Sequence, residues 1–325
     1  MTSVFVMAAG KGTRLAPWTS VVPKPVLPVA NEPCIGFLLR SIARYGYRTV
    51  VANASWKADV LMGIVGDGSS YGIDLSWNRE PEPLGTAGGV LAAQDRLRSG
   101  DEPIIVLSGD GLHDVDLMAI ERAHRASGAL VTLGLLPVAD PSEYGVAIVD
   151  EAGRITEFQE KPAPGTERSN LANTGIYVLQ PELLDRCAAW GLTDFGSELF
   201  PRLLQERLPM HGHALIDTYW NDIGDLDEWR ASNVAVVQGA VDVGELPDFH
   251  VADDGVLVHA SVRIGDGVSI TGPCVIGAGA VIGDGAQLRS ALVLPHAAIP
   301  AGGVLASGTY GTIDGLQRWA RDLID

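Results

Sequence analysis

From Val256 onward the chain repeats every six residues: VLVHAS, VRIGDG, VSITGP, CVIGAG, AVIGDG, AQLRSA, LVLPHA, AIPAGG, VLASGT. The first position of each unit is small or apolar: Val256, Val262, Val268, Cys274, Ala280, Ala286, Leu292, Ala298 and Val304. The third is aliphatic at Val258, Ile264, Ile270, Ile276, Ile282, Leu288 and Leu294, and Gly follows it at 265, 277 and 283. A Gly-rich linker does not hold aliphatic residues in phase. A parallel β-helix must, because each unit forms one side of a coil and stacks its inward residue on the unit one coil away. Nine units at three per coil give three coils. The expectation is a short left-handed parallel β-helix over 250–310, then a helical tail over 311–325 with a capping helix from Ile313.

The preceding two thirds follow another rhythm. Strands are expected at Val4–Ala8, Arg48–Ala52, Ile73–Trp77, Pro103–Ser108 and Leu130–Pro137. Helices are expected around Ile35–Ile42, over Lys57–Val65, Thr86–Leu97, Leu117–Arg125 and Leu226–Gln238. The run PIIVLS is apolar at nearly every position, as in a parallel strand covered on both faces. VAIVDEAGRITEF reads as a β-hairpin turning near Glu151–Gly153. This alternation specifies an α/β fold, a Rossmann-like doubly wound mixed sheet, over residues 1–240. At 325 residues and 46% hydrophobic content, two domains are the expectation.

Charge and cysteine content narrow the function classes. A net charge of −17 repels nucleic acid and anionic membrane. Yet residues 1–31 contain no Asp or Glu, and their only charged side chains are Lys11, Arg14 and Lys24, an island for a small anion. Three cysteines, Cys34, Cys187 and Cys274, are odd in number and form no CxxC pair. They suggest neither a disulfide framework nor a zinc site, and fit a cytoplasmic protein. No apolar run is long enough to span a bilayer.

The cationic island lies in AAGKGTRLAPWT, where a hydrophobic strand enters a Gly-rich turn. Such turns bring backbone N–H groups close to phosphate. The spacing is neither GxxxxGK[ST] nor GxGxxG. Pro23 and Pro25 stiffen the chain around Lys24. Asp110 follows the strand PIIVLS at the carboxyl edge of the sheet, where open α/β folds bind ligands. Asp222, in TYWNDIG, supplies a second carboxylate, and two carboxylates with phosphate oxygens suit Mg2+.

These segments resemble those of the sugar-1-phosphate nucleotidyltransferases, or NDP-sugar pyrophosphorylases. The resemblance rests on GKGTRLAPWT with PKPVLPV, PLGTAGG at 83–89, SGD at 108–110, EYGVAIVDEAGRITEFQEKP at 143–162, NTGIYVL at 173–179, FGSELFPRLL at 195–204 and YWNDIG at 219–224. It covers residues 1 to about 235 in the family's order, and a hexapeptide β-helix is a common C-terminal addition. It implies that a sugar 1-phosphate oxygen attacks the α-phosphorus of a nucleoside triphosphate and releases pyrophosphate. Ala8, Ala9, Gly10, Lys11, Gly12 and Thr13 would hold the triphosphate, with Glu80, Gly85, Thr86 and Asp110 completing the nucleotide site. Arg14 and Lys24 would be catalytic, and Asp110 and Asp222 would hold Mg2+. Lys161 would grip the sugar phosphate, with Glu160, Asn173 and Gly145 around the sugar. A homo-oligomer is the expected assembly.

NREPEPLGTAGG resembles the guanylyl-transferring branch, and Glu80 stands where thymidylyl members carry Gln. A carboxylate can accept both the N1–H and N2–H of guanine, whereas thymine or uracil would oppose it with a carbonyl. GTP and mannose 1-phosphate are therefore the expected pair. MAAG at 7–10 looks closer to uridylyl members, so UTP or dTTP, and another hexose, heptose or cyclitol 1-phosphate, stay open. A hexapeptide acyltransferase, with His259 or His296 as base, is the remote alternative.

Overall fold

The computed structural model describes residues 1–246, 248–252 and 255–324. Its main sheet runs in the order Ile155–Glu160, Gly145–Val149, Leu171–Leu179, Ile104–Ser108, Ser3–Met7, Thr49–Ala54, Asp74–Arg79, and Val131–Pro137 pairs with both Leu171–Leu179 and Met210–Ala214. Ser3–Met7 is parallel to both of its neighbours, whereas Leu171–Leu179 runs antiparallel to Ile104–Ser108, so the sheet is mixed as expected. Alternate residues of each central strand serve opposite faces. Val4 and Val6 pack with Ile35, Leu39 and Ile42 on one face. Phe5 packs with Val51, Val90 and Leu97 on the other. Both faces are covered, which is why PIIVLS is apolar at nearly every position.

Two local departures follow from sequence chemistry. The opening loop is not followed directly by an α-helix. It runs through 3-10 turns at Thr13–Leu15, Trp18–Ser20 and Lys24–Val26, and the first α-helix is Cys34–Arg44. Pro17, Pro23 and Pro25 lack the N–H that a continuous helix would need. The helix expected over Thr86–Leu97 divides at Ala93 into Thr86–Ala92 and Gln94–Leu97. Arg96 holds the second piece to the neighbouring strand by donating to the Trp77 carbonyl and Asn78 Oδ1, at 2.9 and 2.8 Å.

The C-terminal repeat forms stacked parallel strands. Val256 pairs with Cys274, Arg263 with Val281 and Ser269 with Gln287, each one coil of eighteen residues apart. The next rungs pair Val275 with Leu292 and Val281 with Ala298, one residue fewer. The missing residue changes the expected phase. Ala286 and Leu288 face the coil interior, but so do Ala291, Val293, Ala297 and Ile299, not Leu292, Leu294 and Ala298. The unit expected as AQLRSA is in effect five residues long, and Ser290, at φ +50°, marks where the chain tightens. Leu292 and Leu294 are thereby turned outward. With Leu257 and Val275 they join the core of the main sheet. Ile264, expected inward, is 48% exposed, in the coil that begins the stack.

The tail helix Ile313–Asp322 forms as expected, capped by Thr312, whose side chain accepts from Gly315 N–H at 3.0 Å. Its buried residues Leu316, Trp319 and Ala320 belong to the main-sheet cluster rather than to the coil interior. Its role is accordingly that of a strap between coil and sheet, with His296 Nε2 2.9 Å from Asp322 Oδ2.

Candidate active site

The register Met7↔Ser108 ends two parallel strands side by side, so the loops after them open at one carboxyl edge. That edge holds two abutting cavities, of about 330 and 260 Å3, sharing a wall of Met7, Thr86, Ser108, Asp110 and Asp194. The larger gathers Arg14, Lys24, Gly145, Glu160, Lys161, Asn173 and Asp222. The smaller gathers Ala9, Gly10, Glu80 and Gly85. Residues expected to act on the sugar phosphate and on the nucleotide thus fall into separate, touching spaces. Lys11 and Thr13 are exposed and line neither cavity, and Gly12 is also outside both linings.

Between the cavities the charges are tightly organised. Lys24 Nζ is 2.7 Å from Asp110 Oδ2, and Ser108 Oγ donates to Asp110 Oδ1 at 2.7 Å. Burial pushes the Asp222 carboxyl above its usual range; Lys24 pulls it back, Asp110 raises it further and Arg14 lowers it. Gly111 permits this convergence, because a Cβ there would lie 2.9 Å from the Asn221 carbonyl oxygen. Among the described residues no cluster of three or more His, Cys, Asp or Glu side chains forms a protein-only metal cage. Asp110 and Asp222, both open to the larger cavity, are the residues that could hold a hard divalent cation, which takes its other oxygens from substrate and water. Arg14 sits at the mouth, 3.6 Å from Glu143.

At the smaller cavity a buried relay fixes the geometry. Asn53 Oδ1 accepts from Ala8 N–H at 2.7 Å, and Asn53 Nδ2 donates to Glu80 Oε1 at 2.8 Å. Glu80 Oε2 accepts from Leu84 N–H at 3.0 Å. Glu80 is only 3% exposed, so it is not a solvent-facing glutamate. The Ala8 N–H is committed to this bond with Asn53, and Ala8 lines neither cavity.

In the larger cavity, burial raises the Glu160 carboxyl, Lys161 opposes the shift and Asp194 adds to it. Asn173 Nδ2 donates to Tyr177 Oη at 2.9 Å, and Asn173 Oδ1 accepts from Gly175 N–H at 3.2 Å. Tyr144 and Trp220 meet edge to face, with ring centroids 5.5 Å apart, and both line this cavity.

The nucleotidyl transferase family profile matches residues 3–239. The chain belongs to that family. Mannose-1-phosphate guanylyltransferase of Mycobacterium tuberculosis is 33% identical, the match covering 92% of this chain and 82% of that protein. UTP–glucose-1-phosphate uridylyltransferase of Synechocystis is 32% identical, over 92% of this chain and 84% of that protein. A probable mannose-1-phosphate guanylyltransferase of rice is 30% identical, over 98% and 88%.

His259 Nδ1 is 2.8 Å from Ser261 Oγ and its ring meets Phe249, while His296 faces Asp322. The three cysteines are free and buried, as expected of a chain without disulfides. No helix among the described residues is long and apolar enough to cross a membrane. Sequence reasoning missed Asn53, Ser108, Tyr144, Asp194 and Trp220. Ser108, Tyr144 and Trp220 stand inside the quoted motifs SGD, EYGVAIVDEAGRITEFQEKP and YWNDIG, and Asp194 immediately precedes FGSELFPRLL. Asn53 carried no signal beyond its place at the end of a strand.

Proposed function

We propose that this nucleotidyltransferase transfers GMP from GTP to mannose 1-phosphate, giving GDP-mannose and pyrophosphate. The observation that carries this reading is Glu80, a buried carboxylate held by Asn53 and Leu84 in the wall of the smaller cavity. Each of its oxygens retains a lone pair after those bonds, enough to accept guanine N1–H and N2–H. The guanylyltransferase relatives support the pairing.

In the reaction, a phosphate oxygen of the sugar 1-phosphate forms a bond to the α-phosphorus, the bond to the bridging oxygen of the β-phosphate breaks, and pyrophosphate leaves with its electron pair. Two anions must meet, so fixed cations do most of the work. Lys161 holds the sugar phosphate, and Lys24 stands in the larger cavity against Asp110, a residue of the wall that the two cavities share. Arg14, at the mouth, neutralises the departing pyrophosphate. Glu160, Asn173 and the Gly145 backbone orient the sugar hydroxyls, and Tyr144 and Trp220 wall off water. Nucleotidyltransferases of this family generally use a divalent metal. We assign Mg2+ to Asp110 and Asp222, where it would neutralise phosphate charge and align the reacting groups. The protein is taken to divide into a catalytic unit over 1–240, a coil over 250–310 and the tail, with the coil wound left-handed and the chain acting as a cytoplasmic homo-oligomer.

The test is pyrophosphate release across GTP, UTP, dTTP, ATP and CTP with several sugar 1-phosphates and Mg2+. Release with GTP and mannose 1-phosphate above all other pairs is expected. A second reading, UTP with glucose 1-phosphate, is favoured by the cyanobacterial relative and by MAAG at 7–10. A preference for UTP would replace the base assignment and leave the reaction standing.

A further inference from the structure

The wall between the two cavities is a built connection. Thr86 Oγ1, on the nucleotide-side loop, donates to Asp194 Oδ2 at 3.0 Å and accepts from Phe195 N–H at 2.9 Å. The Thr193 carbonyl accepts from Ala87 and Gly88 N–H at 2.9 and 3.0 Å, so the first turn of the helix Thr86–Ala92 is already capped from the sugar side. Gly85, at φ +85°, leaves no room for a side chain, since a Cβ there would strike that same carbonyl. Below the contact, Glu198 Oε2 accepts from Thr193 and Asp194 N–H at 2.7 and 3.1 Å. Asp194 Oδ1 accepts from Ser197 N–H at 2.8 Å. These reciprocal bonds between Asp194 and Glu198 cap the helical turn that follows and fix the segment 193–198.

The far end of that turn reaches the sugar-binding carboxylate. A Cβ on Gly196 would lie 2.5 Å from Glu160 Oε2, and one on Gly145 would lie 2.8 Å from the same atom. Glu160 is therefore seated in a slot whose one side is the backbone of Gly196. Contact runs without a break from Thr86 through Asp194 and Phe195 to Gly196 and Glu160.

We infer that Asp194 is a positioning residue, through which Thr86 on the nucleotide loop sets the seat of Glu160 in the sugar pocket. The Thr86 hydroxyl hydrogen is committed to Asp194, so the threonine acts on the neighbouring pocket rather than donating to nucleotide phosphate. Substrate recognition on the two sides is thereby coupled, since movement of the segment 83–88, which enters the helix Thr86–Ala92, is transmitted to the turn that shelves Glu160. The inference rests on the proposed reading only in taking Glu160 as a sugar-binding group.

The test is made with whichever substrate pair the wild-type enzyme turns over, so it stands apart from the identity of base and sugar. Thr86→Val keeps the shape and removes the hydroxyl. It is expected to raise KM for the sugar 1-phosphate roughly tenfold, the loss of about one hydrogen bond, and KM for the nucleotide less than twofold. Thr86→Ser should restore the sugar KM. Gly196→Ala should raise the sugar KM by itself, and adding Thr86→Val to it should cost little more, because both act on one seat. Calorimetric titration of the sugar 1-phosphate without nucleotide should show the same weakening, and thermal melts identify any variant that fails to fold. A Thr86→Val effect confined to the nucleotide KM, or effects of the two substitutions that multiply, would overturn the inference.

Discussion

Lys24 Nζ lies 2.7 Å from Asp110 Oδ2, with only 10% of the lysine side chain exposed. The 3-10 turn Lys24–Val26, entered from Pro23 and containing Pro25, delivers the ammonium there. Asp110 belongs to the wall that the two cavities share and Lys24 lines the larger one, so each partner should be needed for chemistry more than for folding. Asp110→Asn keeps the volume and the bond from Ser108. It should lower pyrophosphate release at least ~1,000-fold, a loss in the range for removal of a key electrostatic group, with the melting temperature little changed. Retained turnover with Mg2+ would remove Asp110 from the metal site.

Lys24→Met should act on the other partner. Two neighbouring carboxylates, Asp110 and Asp222, would lose their nearest cation, and Asp222 is already pushed up by burial and by Asp110. Turnover is expected to fall ~100- to 1,000-fold. If Lys24 serves the phosphates, raising Mg2+ will not rescue it. Full rescue by metal would show that Lys24 only balances the carboxylates.

Glu80→Gln probes the base assignment. Its two oxygens hold Asn53 Nδ2 and Leu84 N–H. Glutamine retains one acceptor oxygen and places a donor where guanine also donates. The ratio of kcat/KM for GTP over UTP should fall ~10- to 100-fold, the worth of a charge-assisted hydrogen bond. An unchanged ratio would take base reading away from this side chain.

Much of this arrangement was legible because it is local. The strand periods, PIIVLS with its two covered faces, the hairpin at 145–160 and the carboxylates after strands all depend on near neighbours in sequence. The coil register was legible only as far as Leu288. One residue missing near Ser290 turned Leu292 and Leu294 out of the coil and into the main core, and an apolar residue reads alike in either place. Asn53 and Asp194 were hidden for another reason. Each acts across a large sequence separation, Asn53 on Ala8 and Glu80, Asp194 on Thr86, and no periodicity records such a meeting.

Acid should destabilise the fold through two buried histidines. Burial lowers both His113 and His124 to about 4. Among the described residues neither Nε2 has a partner, and His124 Nδ1 lies 2.9 Å from Thr132 Oγ1. In the unfolded chain they protonate near 6.5, so between pH 6.5 and 4 the unfolded state binds more protons, and stability falls as pH drops through that window. Each shift corresponds to about 3 kcal/mol once pH is below the folded value. Denaturant midpoints at pH 7.5, 6 and 5 should therefore decline, and less steeply in His124→Gln. Parallel declines in variant and wild type would exclude His124 as a source.

The coil can be tested where its backbones approach most closely. A Cβ on Gly283 would lie 2.5 Å from Ala301 N and 2.8 Å from the Pro300 carbonyl carbon, both on the next coil. Gly283→Ala must push two coils apart, at a cost of ~1–3 kcal/mol, typical of overpacking. Because Val275, Leu292 and Leu294 share a core with Leu39 and Trp229, and Trp319 of the tail helix closes it, loosening the coil should weaken the whole protein. Calorimetry should show one transition moved to lower temperature, with turnover at 25 °C preserved. A second transition moving alone, while the first stays fixed, would mean that the coil unfolds independently of the catalytic sheet.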